Sequence, residues 1–116
     1  MLPFSVFPLP DCLLVSIQEE IDDAGIASLI DNIGEMAQKY QARGVIIDLH
    51  DVEVVDSYLA NNLEELTISL NLMRTKVVIV GLAVPVVITL LDFGIELKGV
   101  EFALDVEQGL NRINDK

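Results

Sequence analysis

The chain has 116 residues, 52% of them hydrophobic and 22% charged, which suits one folded domain over 1–116 and excludes a disordered tail. Nineteen acids against seven bases give a net charge of −12, which repels phosphate backbones and anionic bilayers and argues against nucleic-acid and membrane partners. A single cysteine, Cys12, rules out an internal disulfide, and a single histidine, His50, rules out a histidine-based zinc cluster, so the composition fits a reducing, cytoplasmic setting.

Met1-Leu2-Pro3-Phe4-Ser5 has no basic start and is followed by two more prolines by Pro10, unlike a signal peptide. Phe4-Ser5-Val6-Phe7-Pro8 alternates and is predicted as a short edge strand, where proline is tolerated. The apolar run Leu13 to Ile17 reads as a second strand. From about Ala24 to Ala42, apolar residues recur every three or four positions (Ile26, Leu29, Ile30, Ile33, Ala37), which predicts an amphipathic helix. Asp22 and Asp23 suit its start, Lys39 and Arg43 its end, and Gly44 its stop.

Val45 to Leu49 is predicted as a buried central strand, followed by an acidic loop, 50–55. A second helix is expected from Ser57 to Met73, with Leu59, Leu63, Leu66 and Leu70 as its stripe. The uncharged run Val77 to Leu91 is fifteen residues long, short of the roughly 20 that span a bilayer. It divides into a strand, Val77 to Val80, a turn at Gly81, and a short helix, Val86 to Phe93, with Pro85 at its first position and Gly94 after it. Val100 to Leu104 is the last strand, and Asp105 with Gln108 resembles a capping box for a helix through Ile113. Strands alternating with helices in βαβαβα order predict an α/β fold, a parallel or mixed sheet with helices packed on it. Its chemistry belongs at the carboxyl ends of the strands, where Asp48, Asp56, Ser57 and the Gly81 turn should gather.

Enzymatic signatures are missing. There is no GxSxG elbow, no phosphate-binding glycine loop, and no evident base beside a serine; Cys12 reads as a packing residue. The expectation is a non-enzyme without a cofactor. Asp48, Asp51, Glu53 and Asp56 lie within nine residues and offer oxygens to a hard cation, but acids at strand ends and helix starts are ordinarily caps and solvated faces, so no metal is expected. Ser57 stands at the first turn of a helix leaving a central strand. Position alone favours a plain N-cap at Asp56 or Ser57, although the amides there would also favour a phosphoryl group.

Taken together, Cys12 to Gln18, Glu20-Ile21-Asp22-Asp23, Gly44 to Leu49, Val55-Asp56-Ser57-Tyr58-Leu59-Ala60, Ile88-Thr89-Leu90, Gly94-Ile95 and Ala103 to Leu110 resemble the STAS domain of anti-sigma-factor antagonists. More narrowly they resemble the small single-domain scaffolds of the bacterial stressosome. The likeness covers nearly the whole chain. One departure is that the family's proline three residues past the glycine after the fourth strand is Val84 here, with Pro85 one later.

The resemblance implies a single STAS-type domain that does no catalysis. It implies that Ser57 is phosphorylated by a serine/threonine switch kinase of the RsbT kind and reset by a phosphatase of the RsbX kind. It also implies that the chain holds the kinase inside a large homo- or hetero-oligomer with RsbR-type STAS paralogues. Thr89 matches a second phosphorylated threonine of such relatives, though a helical threonine in an apolar run more often packs. Asp56 is expected to cap the helix and orient the hydroxyl, with Asp51, Glu53 and Tyr58 as the partner surface. One alternative is a simple antagonist that binds a single anti-sigma kinase. A phospho-aspartate receiver with Asp48 as acceptor fits less well, since Asp22 and Asp23 lie past the strand and no lysine stands at the end of the last one.

Overall fold

A computed structural model describes residues 3–18 and 21–114. Met1, Leu2 and Glu20, which the sequence reading used, lie outside them. The elements run β1 (Phe4–Leu9), β2 (Cys12–Ile17), α1 (Asp23–Tyr40), β3 (Gly44–Asp48), α2 (Ser57–Leu72), β4 (Lys76–Val80), α3 (Val84–Asp92), β5 (Val100–Ala103) and α4 (Val106–Asn114). One five-stranded sheet has the order β1-β2-β3-β4-β5. The β1–β2 hairpin is antiparallel, and the other three pairings are parallel. The sheet is therefore mixed, and its parallel strands are joined through helices as the alternation predicts. A receiver-like sheet would have the order 2-1-3-4-5.

Strand alternation sorts the core into two faces. Leu13, Val15, Ile17, Val45, Ile47, Val77 and Ile79 pack under α1, α2 and α3. Cys12, Ile46, Val78 and Val80 point the other way, toward Ile113 of α4. The second face thus has one short helix over it, and Phe7 of β1 remains 57% exposed. The accessible surface, 7017 Å², exceeds the roughly 6,000 Å² expected of a compact chain of this mass.

Several boundaries shift from the sequence reading by a residue or two, and three of the shifts have a readable cause. α1 stops at Tyr40, because Gln41 adopts the left-handed conformation (φ 49°, ψ 47°) and Ala42 N–H bonds back to the Ala37 carbonyl at 3.0 Å. Gly44 is therefore no helix stop. It opens β3, and a Cβ there would lie 2.5 Å from Ile113 Cγ1, so glycine is what lets α4 close on the sheet. In α3, Val84 takes the first helical position and Pro85 the second; the cap residue, Ala83, offers no side-chain bond. The capping box at α4 is present in part: Gln108 N–H donates to Asp105 Oδ1 at 2.9 Å, while the Gln108 side chain accepts from the Leu104 amide.

Candidate functional site

The carboxyl edge of the sheet is assembled by register. Asp48 of β3 pairs with Val80 of β4, Leu49 N–H donates to the Val80 carbonyl at 3.0 Å, and Gly81 N–H donates to the Leu104 carbonyl at 3.2 Å. Gly81 has φ +78°, and a Cβ there would lie 2.7 Å from Asp48 Oδ1. The strand ends thus close on one another only because no side chain intervenes. From Asp48 the chain crosses to α2 through a loop pinned by two buried valines, Val52 and Val55, between which Val54 is left 74% exposed.

α2 opens on Ser57, and Ser57 is exposed. Asp56 is its N-cap, with extended backbone (φ −82°, ψ 173°), and its Oδ1 accepts from the Leu59 amide at 2.8 Å. By helix geometry the amides of Ser57 and Tyr58 have no carbonyl four residues back to bond. Tyr58 is 43% exposed, and Asp51, Glu53 and Asp56 are exposed as well. All five residues expected at this surface are therefore accessible, and the leucine stripe that anchors them (Leu59, Leu63, Leu66 and Leu70) is buried.

Sequence reasoning missed the arrangement at His50. The Asp48 carboxylate accepts the His50 backbone amide at 3.0 Å and pairs with ring Nδ1 at 2.9 Å, while Asp51 stands 3.2 Å from Nε2. A neutral imidazole donates from only one nitrogen, so a ring bracketed by two carboxylates favours the protonated form. The His50 pKa is raised from 6.5, first by the Asp48 hydrogen bond and its charge, and less by Asp51. The spacing Asp-x-His-Asp carried the signal, but only a chain reversal after β3 brings the three together. Among the described residues no three His, Cys, Asp or Glu side chains form a metal-binding group.

Thr89 is exposed rather than packed, which corrects the sequence reading. It sits past the middle of α3, and its hydroxyl donates to the Pro85 carbonyl one turn back at 2.9 Å. With Pro85 and Val86 it faces Glu53, Val54 and Val55 across a cleft of about 130 Å³, so the loop leading into Ser57 borders the start of α3. A larger apolar groove, about 580 Å³, lies between α3 and β5, lined by Val84, Val87, Leu91 and Phe102 among others. Its signal was α3 itself, a helix apolar on all sides, which a small domain cannot bury alone. Cys12 is buried, and burial, then Asp11, raises its thiol pKa, so it stays an unreactive packing group. Among the described residues no helix is long and apolar enough to cross a membrane.

The STAS domain model matches residues 8–109, and with that span the chain belongs to the STAS domain family. Within that family it is similar to RsbS. A structure of Moorella thermoacetica RsbS carrying a serine-to-glutamate substitution superposes with a TM-score of 0.84 at 25% identity, covering 96% of this chain and 94% of that one. A chain from the stressosome, described as a signal integration and transduction hub, gives 0.81 at 26% identity over 96% of both chains. The anti-sigma factor antagonist SpoIIAA in its unphosphorylated form shares the fold, with a TM-score of 0.75 at 11% identity over 97% and 99%. No curated protein matches the chain in sequence.

Proposed function

We propose that this chain is a non-catalytic, RsbS-like scaffold of a stressosome-type assembly, which retains a serine/threonine switch kinase until that kinase phosphorylates Ser57. The observation that carries the reading is an exposed hydroxyl on the first residue of α2, beside a capping carboxylate and at the carboxyl edge of the sheet. The likeness to RsbS and to a stressosome chain supports the role, and one of those relatives was studied with a serine replaced by glutamate, a substitution that adds negative charge. The apolar groove between α3 and β5 supports an assembling protein, because Val84, Leu91 and Leu104 on its walls are each more than two-thirds exposed.

The switch follows from local charge. A phosphoserine adds roughly −1.5 to −2 charge at pH 7. At ~6 Å, each pair of like unit charges repels by about 0.7–2.8 kcal/mol for an effective dielectric between ~80 and ~20. Asp56, Asp51 and Glu53 share this loop and helix start, whereas the helix N-terminus returns only about 0.3–1 kcal/mol. The fold tolerates the group, but a kinase docked over the hydroxyl must desolvate it. About 3 kcal/mol of lost affinity raises the dissociation constant more than a hundredfold. A phosphatase that removes the group restores the surface.

The test is incubation with an RsbT-type kinase and ATP, followed by site-resolved mass spectrometry. Phosphate is expected on the peptide holding Ser57, and none is expected on Ser57→Ala. Phosphate mapping elsewhere, with Ser57 unmodified, removes the assignment. Sizing with and without an RsbR-type paralogue separates the scaffold from a simple one-to-one antagonist, because only the scaffold builds a very large particle that contains, and requires, that paralogue.

A further inference from the structure

We propose that the chain also associates head to tail, the basic end of one copy seating the acidic loop in front of α2 of a second copy. The contact is tested on the unphosphorylated chain without a kinase, so its failure leaves the reading of Ser57 standing. Although the chain carries −12, residues 36–43 and 71–76 hold four of its seven bases and no acid, and the acids beside them are Asp11, whose carbonyl accepts the Arg43 amide at 2.7 Å, and Glu101. Lys76 is engaged by Glu101 at 3.5 Å. Lys39, Arg43 and Arg74 make no ion pair among the described residues.

These segments end α1 and α2 and lead into β3 and β4, so they lie at the amino edge of the sheet, opposite Ser57. Between them runs a groove of about 400 Å³, with Arg43, Met73 and Arg74 on its walls. The same end exposes apolar surface: Leu72 is 83%, Tyr40 48% and Met73 45% accessible.

The opposite end is its complement. Residues 48–56 contain four acids and no lysine or arginine. Asp51, Glu53 and Asp56 are exposed there, and Val54 and Tyr58 supply apolar surface. α2 separates the two ends by sixteen residues, about 24 Å at 1.5 Å per residue, so neither can satisfy the other within one chain. A second copy carries the matching charge and the matching apolar contacts together. Such a contact uses different surfaces on its two sides, so it extends into rings or filaments and does not stop at a two-fold dimer.

Sedimentation velocity on the full chain tests this at about 0.05 M and about 0.5 M salt, across a concentration series. The expected result is association past the dimer at low salt, weakened by about tenfold or more at high salt. Two variants each break one end. Arg43→Gln with Arg74→Asn breaks the basic end, asparagine being chosen because Arg74 has φ +63°. Asp51→Asn with Glu53→Gln breaks the acidic end. Each variant alone, shown folded by circular dichroism, is expected to stay monomeric, and an equimolar mixture is expected to form one-to-one dimers and nothing larger. Any of five results overturns the proposal: a monomeric wild type, wild-type association that stops at the dimer, wild-type association that ignores salt, variants that associate like wild type, or a mixture that forms no dimer.

Discussion

Ser57 and Asp56 divide two tasks that often fall to one residue. Asp56 spends its carboxylate on the Leu59 amide, which leaves the exposed Ser57 hydroxyl free of capping duty. Asp56→Ala is expected to cost about 0.5–2 kcal/mol, read as a lowered urea midpoint. It is also expected to slow phosphorylation of Ser57, because the start of the helix is no longer fixed. A change in stability alone would make Asp56 a plain cap. His50 gives a pH-dependent prediction. Its folded pKa is raised, so its contribution to stability is full below its unfolded value near 6.5 and is lost as pH rises through the folded value. An NMR titration is expected to place the ring midpoint above 6.5 in the native chain and lower in Asp48→Asn; equal midpoints would dismiss the Asp48 contact. The Asp56-Ser57 pair was legible in the sequence because a cap acts over three residues. The His50 bracket was not, because it depends on how the chain reverses after β3.

At the scale of elements, α4 depends on the missing side chain at Gly44. Gly44→Ala places a methyl group against Ile113, where Cγ1, Cδ1 and Cγ2 all lie within 2.8 Å of the new atom. The expected cost is about 1–3 kcal/mol in denaturant unfolding. Adding Ile113→Val, which removes one of the clashing methyls, is expected to recover part of it; no recovery would place the strain elsewhere. Hydrophobic period carried the strands and helices directly, since Val45, Ile47, Val77 and Ile79 bury one face and Ile46, Val78 and Val80 the other. The end of α1 was misplaced because glycine is the usual left-handed residue, and here Gln41 takes that conformation. Thr89 was misjudged for a related reason: an apolar run suggests burial all round, but α3 buries only Val86 and Leu90.

At the scale of the whole molecule, the excess accessible surface reflects elements left without cover: the outer side of α3 with β5, and the face of the sheet beyond α4. Composition implied surplus apolar residues but could not say where they would lie, because that depends on which helices the crossovers deliver to each face. If the groove between α3 and β5 is an assembly surface, Leu91→Asp with Leu104→Asp should leave the fold intact, since both are largely exposed. The same pair should abolish the large particle formed with an RsbR-type paralogue in size-exclusion chromatography with light scattering. An unchanged particle would move the assembly surface elsewhere.

The most direct measurement of the central claim is the affinity of the switch kinase for this chain before and after stoichiometric phosphorylation of Ser57, by isothermal titration in one buffer. The account expects the dissociation constant to rise more than a hundredfold on phosphorylation, with Ser57→Asp shifted in the same direction and Ser57→Ala holding the kinase in the presence of ATP. Equal affinity for the two forms would contradict it.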